Sequence, residues 1–134
     1  MSVIIDVVKA IIGIPSENAK NHEASHGVVA KVVGIQKIKI VVSGNGGYIS
    51  YDESQVNDEQ HVKAAIAGII GEQIIGGRQV DINDPAADYD IRSVIAKGIN
   101  PEVYVDEVVS IIKANRNEIE RVAKVVGKKG SIDY

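Results

Sequence analysis

His22, Glu23 and His26 are the residues whose types and spacing best suit chemistry in this chain: His22-Glu23-Ala24-Ser25-His26 reads HExxH. In a helix, side chains four residues apart stand on one face, so both imidazoles can reach a single cation. Glu23, one residue on from His22, is displaced around the helix by about 100°. Its carboxylate then lies beside such a cation without binding it, in place to take a proton from water. The pattern divides the work: two neutral nitrogen donors hold zinc, and a carboxylate acts as base. The bland alternative, two surface histidines beside a solvated Glu, is disfavoured by the apolar Gly27-Val28-Val29-Ala30 that follows directly.

A zinc site that does chemistry needs three protein ligands and one open position. The chain has no Cys, and His61 is its only other histidine. The third donor is therefore His61 or a carboxylate, with Glu72, Asp81, Asp84, Asp88 and Asp90 all open on spacing. An Asp at a helix start more often caps it than binds a metal. His61 itself reads as an exposed residue of the middle helix, and none of the five tyrosines acquires a role.

The elements that must position these residues follow from periodicity and caps. Val3, Val7, Val8 and Ile11 suggest a short amphipathic helix over 2–13. Ser16 is a plausible N-cap for a helix from Glu17 to Val33 that carries the motif. Lys37-Ile38-Lys39-Ile40 then alternates as a half-buried strand does, and Ser43-Gly44-Asn45-Gly46-Gly47 supplies a turn into Tyr48-Ile49-Ser50-Tyr51, giving a hairpin. A helix is expected from about Asp58 to Ile75, a loop over 78–87, and a helix presenting Ile91, Val94 and Ile95. Asn100-Pro101 reads as a cap and first helical position. The tail is helical to Val126, with an interruption at Asn115–Asn117. The expectation is six helices around one small hairpin.

Composition narrows the function classes. A length of 134 residues suits one domain. A net charge of -3 leaves no basic footprint for nucleic acid. No apolar run approaches a bilayer span, and the first residues lack signal-peptide features, so a cytoplasmic protein without a membrane segment is expected. The apolar residues are 22 Ile, 20 Val and 12 Ala, with no Leu, Phe, Trp, Cys or Thr. Such an alphabet arises either by deliberate simplification or where Leu and Ile, Thr and Val, or Phe and Tyr are not told apart.

Beyond the motif, Asn21-His22-Glu23-Ala24-Ser25-His26-Gly27-Val28-Val29-Ala30 resembles the HEAGHALVA helix in the peptidase domain of the FtsH-type AAA+ zinc proteases. Lys37-Ile38-Lys39-Ile40 followed by Gly46-Gly47-Tyr48 resembles that family's strand pair. Ala67-Gly68-Ile69-Ile70-Gly71-Glu72-Gln73-Ile74-Ile75-Gly76 is similar to its helix built on LGGRAAEE. Ala86-Ala87-Asp88 with Ile95-Ala96 resembles its GAxNDLxxATxIA segment, and residues 111–123 its closing helical pair. The resemblance runs over about residues 18–128 in the family's order. Ser25 stands where the family has Gly, and Asp84-Pro85 where it has Thr-Gly-Ala.

The resemblance implies a mainly α (α+β), zincin-like metallopeptidase fold in a single domain over 1–134, with one small hairpin. It implies Zn2+ held by His22, His26 and Asp88, with Glu23 as general base. The altered loop before Asp88 leaves Asp90 as the alternative ligand. The chain has no GxxxxGK[ST] phosphate loop, so neither ATP nor ATP-driven unfolding is expected. The implied activity is a stand-alone zinc endopeptidase acting on peptides or unfolded protein segments. The competing readings are a non-catalytic interaction module that keeps the fold and a metal site, and a different zinc hydrolase such as an amidase. The Ala- and Val-rich helices leave a homo-oligomer open.

Overall fold

Ser16 opens the first described helix in the computed structural model of the chain, which describes residues 16–134. The helix expected over 2–13 lies outside the described residues. The Ser16 hydroxyl accepts from the Ala19 amide at 3.1 Å, satisfying one of the donors a helix start leaves free. The helix that follows, α1, spans Glu17–Val32. From His22 to Ala30 every residue of α1 is buried, so this helix is enclosed on all sides rather than lying on the surface.

Two strands follow, β1 (Lys39–Ser43) and β2 (Gly46–Ser50). They pair antiparallel in the register Lys39↔Ser50, Ile40↔Ile49 and Val42↔Gly47. Ile40, Val42 and Ile49 point into the core, the period-2 pattern of a sheet with one buried face. A third strand, β3 (Ser131–Asp133), comes from the far end of the chain and pairs antiparallel with the other side of β1, giving the order β2-β1-β3. Sequence reading places only the hairpin. Three residues carry too little periodicity to announce a strand, and Ile132 is the single apolar contributor.

The second central helix, α2 (Asp58–Ile75), begins with a reciprocal capping box between Asn57 and Gln60. It is buried along most of its length and packs against α1. Around this pair lie α3 (Asp88–Ile95), α4 (Val105–Ala114) and α5 (Arg116–Lys129). The break between α4 and α5 falls at Asn115, where the sequence indicates one. Short 3-10 turns at Glu53–Gln55, Pro85–Ala87 and Pro101–Tyr104 connect the elements. The architecture is mainly helical with one small antiparallel sheet, and the core is built from Ile, Val and Ala of α1, α2, α4, α5 and the sheet.

The α1–α2 contact is close because α2 presents glycines to it. A Cβ at Gly71 would collide with both Cβ and Oγ of Ser25, with Ile112 the next neighbour at 3.7 Å. Gly71→Ala should therefore destabilise the protein, since an overpacking cost of about 1–3 kcal/mol exceeds the roughly 1 kcal/mol gained in helix propensity. In a Ser25→Gly background the colliding atoms are gone, and the same change should stabilise. Urea denaturation of the four proteins in this cycle checks the sign reversal; destabilisation in both backgrounds would show that Ser25 does not set the approach.

Candidate metal centre

The HExxH turn sits midway along α1, facing α2 and the start of α3. His26 donates its Nδ1 hydrogen to the Ala64 carbonyl of α2 at 2.6 Å. A carbonyl only accepts, so this bond assigns the tautomer and leaves Nε2 pointing inward. His22 donates from Nδ1 to Glu72 Oε1 at 3.1 Å, and Glu72 is held by Arg78 at 2.8 Å. Both imidazoles are thereby oriented from behind, as metal-binding histidines are.

Their Nε2 atoms stand 3.1 Å apart, and Asp90 Oδ2 lies 3.0 Å from His26 Nε2 and 3.3 Å from His22 Nε2. Donors at the corners of a tetrahedron with bonds of about 2.0–2.1 Å are about 3.3 Å apart. The triangle of two nitrogens and one oxygen therefore has the size that a small divalent cation requires. Glu23 adds a fourth group: ligand atoms of His22, Glu23 and His26 all lie within 4.8 Å of one another.

Small residues make room for this cluster. A Cβ at Gly68 of α2 would overlap His26 Nε2 and lie 2.6 Å from His22 Nε2. On the sheet side, a Cβ at Gly47 would come within 2.9 Å of Glu23 Cγ. Glu23 is 1% exposed, and its buried Oε1 has no hydrogen-bond partner among the described residues. A buried carboxylate oxygen without a donor is costly, and a proton-bearing group that entered here would offset that cost.

Electrostatics point the same way. Burial alone would lower the His22 pKa, but hydrogen bonds to Asp90 and Glu72 and the nearby Glu23 charge prevail and push it up to about 10. Asp90, despite burial, is held well below the usual carboxylate range by the two imidazoles. Burial raises Glu23, against the partial opposition of His22 and His26. Carboxylates that favour a proton on His22 also favour a metal cation in its place.

Of the residues the sequence singles out, His22, Glu23 and His26 come together, and Asp88 does not join them. Its side chain is 57% exposed and bound to Arg92 at 2.8 Å. The structure puts Asp90, 5% exposed, against both imidazoles instead. Two residues are about 200° apart on a helix, so only one of these aspartates can face α1. The turn Pro85–Ala87, capped by the Asp84 carboxylate, sets the phase in which α3 starts. Asp84 also faces Arg78, while Asp81 accepts from the Asn83 amide; neither reaches the histidines. Glu72 orients His22 from behind rather than from the donor triangle. His61 is buried, not exposed as its sequence context suggests, and pairs with Tyr51.

A scan against models of known protein families matches nothing in this chain, and a search of curated proteins also finds no match. Among the described residues no helix is long and apolar enough to cross a membrane.

If the triangle is the donor set, Asp90→Ala should lower zinc affinity by at least about 10–100-fold, the loss known even for outer-shell partners. Asp88→Ala should leave affinity and stoichiometry unchanged. Competition titration against a chelating dye separates them, and zinc loss from Asp88→Ala with retention in Asp90→Ala would reverse the assignment.

Proposed function

We propose that this chain is a zinc-dependent endopeptidase that hydrolyses peptides or unfolded protein segments without ATP-driven unfolding. The observation that carries the reading is the orphaned Glu23 Oε1 beside the triangle of His22, His26 and Asp90. A structural zinc site needs no unpartnered carboxylate next to it, whereas hydrolysis requires a base there.

His22, His26 and Asp90 would hold the zinc, which when bound supplies Lewis-acid polarisation of the scissile carbonyl and acidifies water. Glu23 accepts a proton from the attacking water and passes it to the departing amine nitrogen, so one carboxylate serves as base and then as acid. Its burial supports both roles, because a raised pKa brings the carboxylate closer to the range where it can take and return a proton. Glu72 and the Ala64 carbonyl hold the imidazole rings in position while this occurs.

A cleft of about 570 Å3 opens on His22 and Glu23, with Asn18, Asn45, Glu72 and Ala86 in its walls. Asn45 lies in the hairpin turn, so the cleft adjoins the start of β2. Among the described residues β2 pairs only with β1, and its other edge can add an extended peptide as a further strand. An unfolded segment offers such backbone groups; a folded substrate does not. The size of the cleft and the lack of a nucleotide loop support a peptide-scale substrate.

Glu23→Gln keeps the shape of the side chain and removes the base. Zinc stoichiometry should stay at one per chain, while hydrolysis of casein and of a mixed peptide library should fall by about 10²–10⁴-fold. Undiminished hydrolysis would sink the assignment of Glu23. A wild-type protein that binds zinc but cleaves no member of the library would instead favour the non-catalytic interaction module.

A further inference from the structure

A second groove adjoins the cleft at His22 and Glu23. It has a volume of about 530 Å3 and runs between α1 and α5, and Glu17 stands in its wall as well as in that of the cleft. Both volumes fall in the range of about 300–1,000 Å3 usual for ligand sites. One face of α5 supplies Glu120, Ala123, Lys124, Gly127 and Lys128, since residues three or four apart on a helix stand one above another. Lys20 and Asn21 of α1 and Ile75 at the end of α2 face them. A Cβ at Gly127 would lie 2.5 Å from Lys20 Cδ, so the bare backbone there lets the lysine stem rest on α5 and carry its ammonium to Glu17.

The charges around this groove do not cancel. Glu17 is taken by Lys20 Nζ at 2.5 Å, and Glu120 by Arg116 Nε at 2.8 Å. Lys124 and Lys128 have no carboxylate partner among the described residues. Lys128 lies in the last turn of α5, where a cation also suits the helix dipole, but Lys124 stands a turn before it. These two ammonium groups make one wall locally positive in a chain whose net charge is -3. Ile75, Ala123 and Gly127 leave the floor between the charges apolar. The groove therefore suits a ligand that combines alkyl surface with negative charge.

We propose that this groove is a second substrate-binding site, which takes an acidic, unfolded stretch of the same polypeptide whose scissile bond lies at His22 and Glu23. The inference rests on the peptidase reading above. Because Glu17 is common to both walls, an extended chain seated in the cleft continues into the groove past this residue. There its carboxylates pair with Lys124 and Lys128, and their alkyl stems rest on Ile75 and Ala123. Asn21, whose carboxamide both donates and accepts, suits the peptide backbone. Attraction between exposed charges is modest and screened by salt. It acts on capture of the substrate and is the same before and during reaction, so it lowers KM and leaves kcat alone.

Peptides that share one cleavable sequence and carry a run of Glu, Gln or Lys at either end test this on the full-length protein. The Glu-tailed peptide should show a KM about 3–10-fold below that of the Gln-tailed one, with kcat nearly equal, and the advantage should fade at high salt. Lys124→Glu/Lys128→Glu should reverse the order in favour of the Lys tail. Lys97→Glu/Lys113→Glu makes the same change of net charge outside the groove and should leave the order as it is. Neither double variant should alter cleavage of the untailed peptide. Fluorescence anisotropy of the labelled tailed peptides, with zinc chelated so that nothing is cleaved, reads binding by itself and should give the same order. Equal KM and equal binding for the Glu and Gln tails, or the same loss in both double variants, overturns the second site and leaves the peptidase reading intact. A wild type that prefers the Glu tail in anisotropy but cleaves no peptide overturns the peptidase reading and leaves the groove as a site for acidic peptides.

Discussion

How closely α1 and α2 approach each other governs the rest of the structure. Two imidazoles buried between helices must find partners: His22 has the Glu72 and Asp90 carboxylates, and His26 has Asp90 and one backbone carbonyl of α2. At Gly68 the surface of α2 is bare, and the Ala64 carbonyl one turn earlier is open to His26 Nδ1 at 2.6 Å. That bond fixes the ring, and the fixed ring sets the position of Nε2. A methyl group at position 68 would occupy the space of both Nε2 atoms, so helix packing and site geometry are one constraint rather than two.

The same interface concentrates charge in a dry place. Glu23, Glu72 and Asp90 are each at most 8% exposed, beside His22 and His26. Buried ionic clusters are seldom retained for stability, because desolvation offsets most of the attraction between their members. Here the compensation is also incomplete, with one oxygen of Glu23 lacking a partner among the described residues. Arg78 reaches in from the surface to the far oxygen of Glu72, leaving the near oxygen for His22. The arrangement thus balances its outer members and leaves its innermost carboxylate unsatisfied, which is the feature the proposed hydrolytic role makes use of.

Much of this was legible in the sequence, and the limits have physical causes. Caps at Ser16 and Asn100 mark element starts because they satisfy local amides, a short-range problem that sequence spacing encodes directly. HExxH is equally local, since one helical turn fixes it. The third donor is not: Asp88 and Asp90 differ by the phase of α3, which depends on how Asp84 and Pro85 wind the preceding turn. β3 depends on contact with a strand about 90 residues earlier. The Tyr51–His61 pair joins the end of a strand to a helix, and only the fold makes them neighbours.

The narrow apolar alphabet bears on the site through rigidity. Isoleucine and valine have restricted χ1 angles in helices, at some expense in helix propensity. In α2, Ile66, Ile69 and Ile70 are fully buried, and Val28 and Val29 hold the same position in α1. Side chains with few rotamers lose little freedom on burial and have few alternative packings. The two helices that carry the site are thus packed into the core by stiff branched residues, while Gly68 and Gly71 of α2 face His22, His26 and Ser25 of α1. A donor set must be held within about 0.5 Å to bind a metal productively. Stiff branched residues with glycines between the helices would meet that tolerance without leucine, because the geometry of the cluster depends on how far the helices can approach.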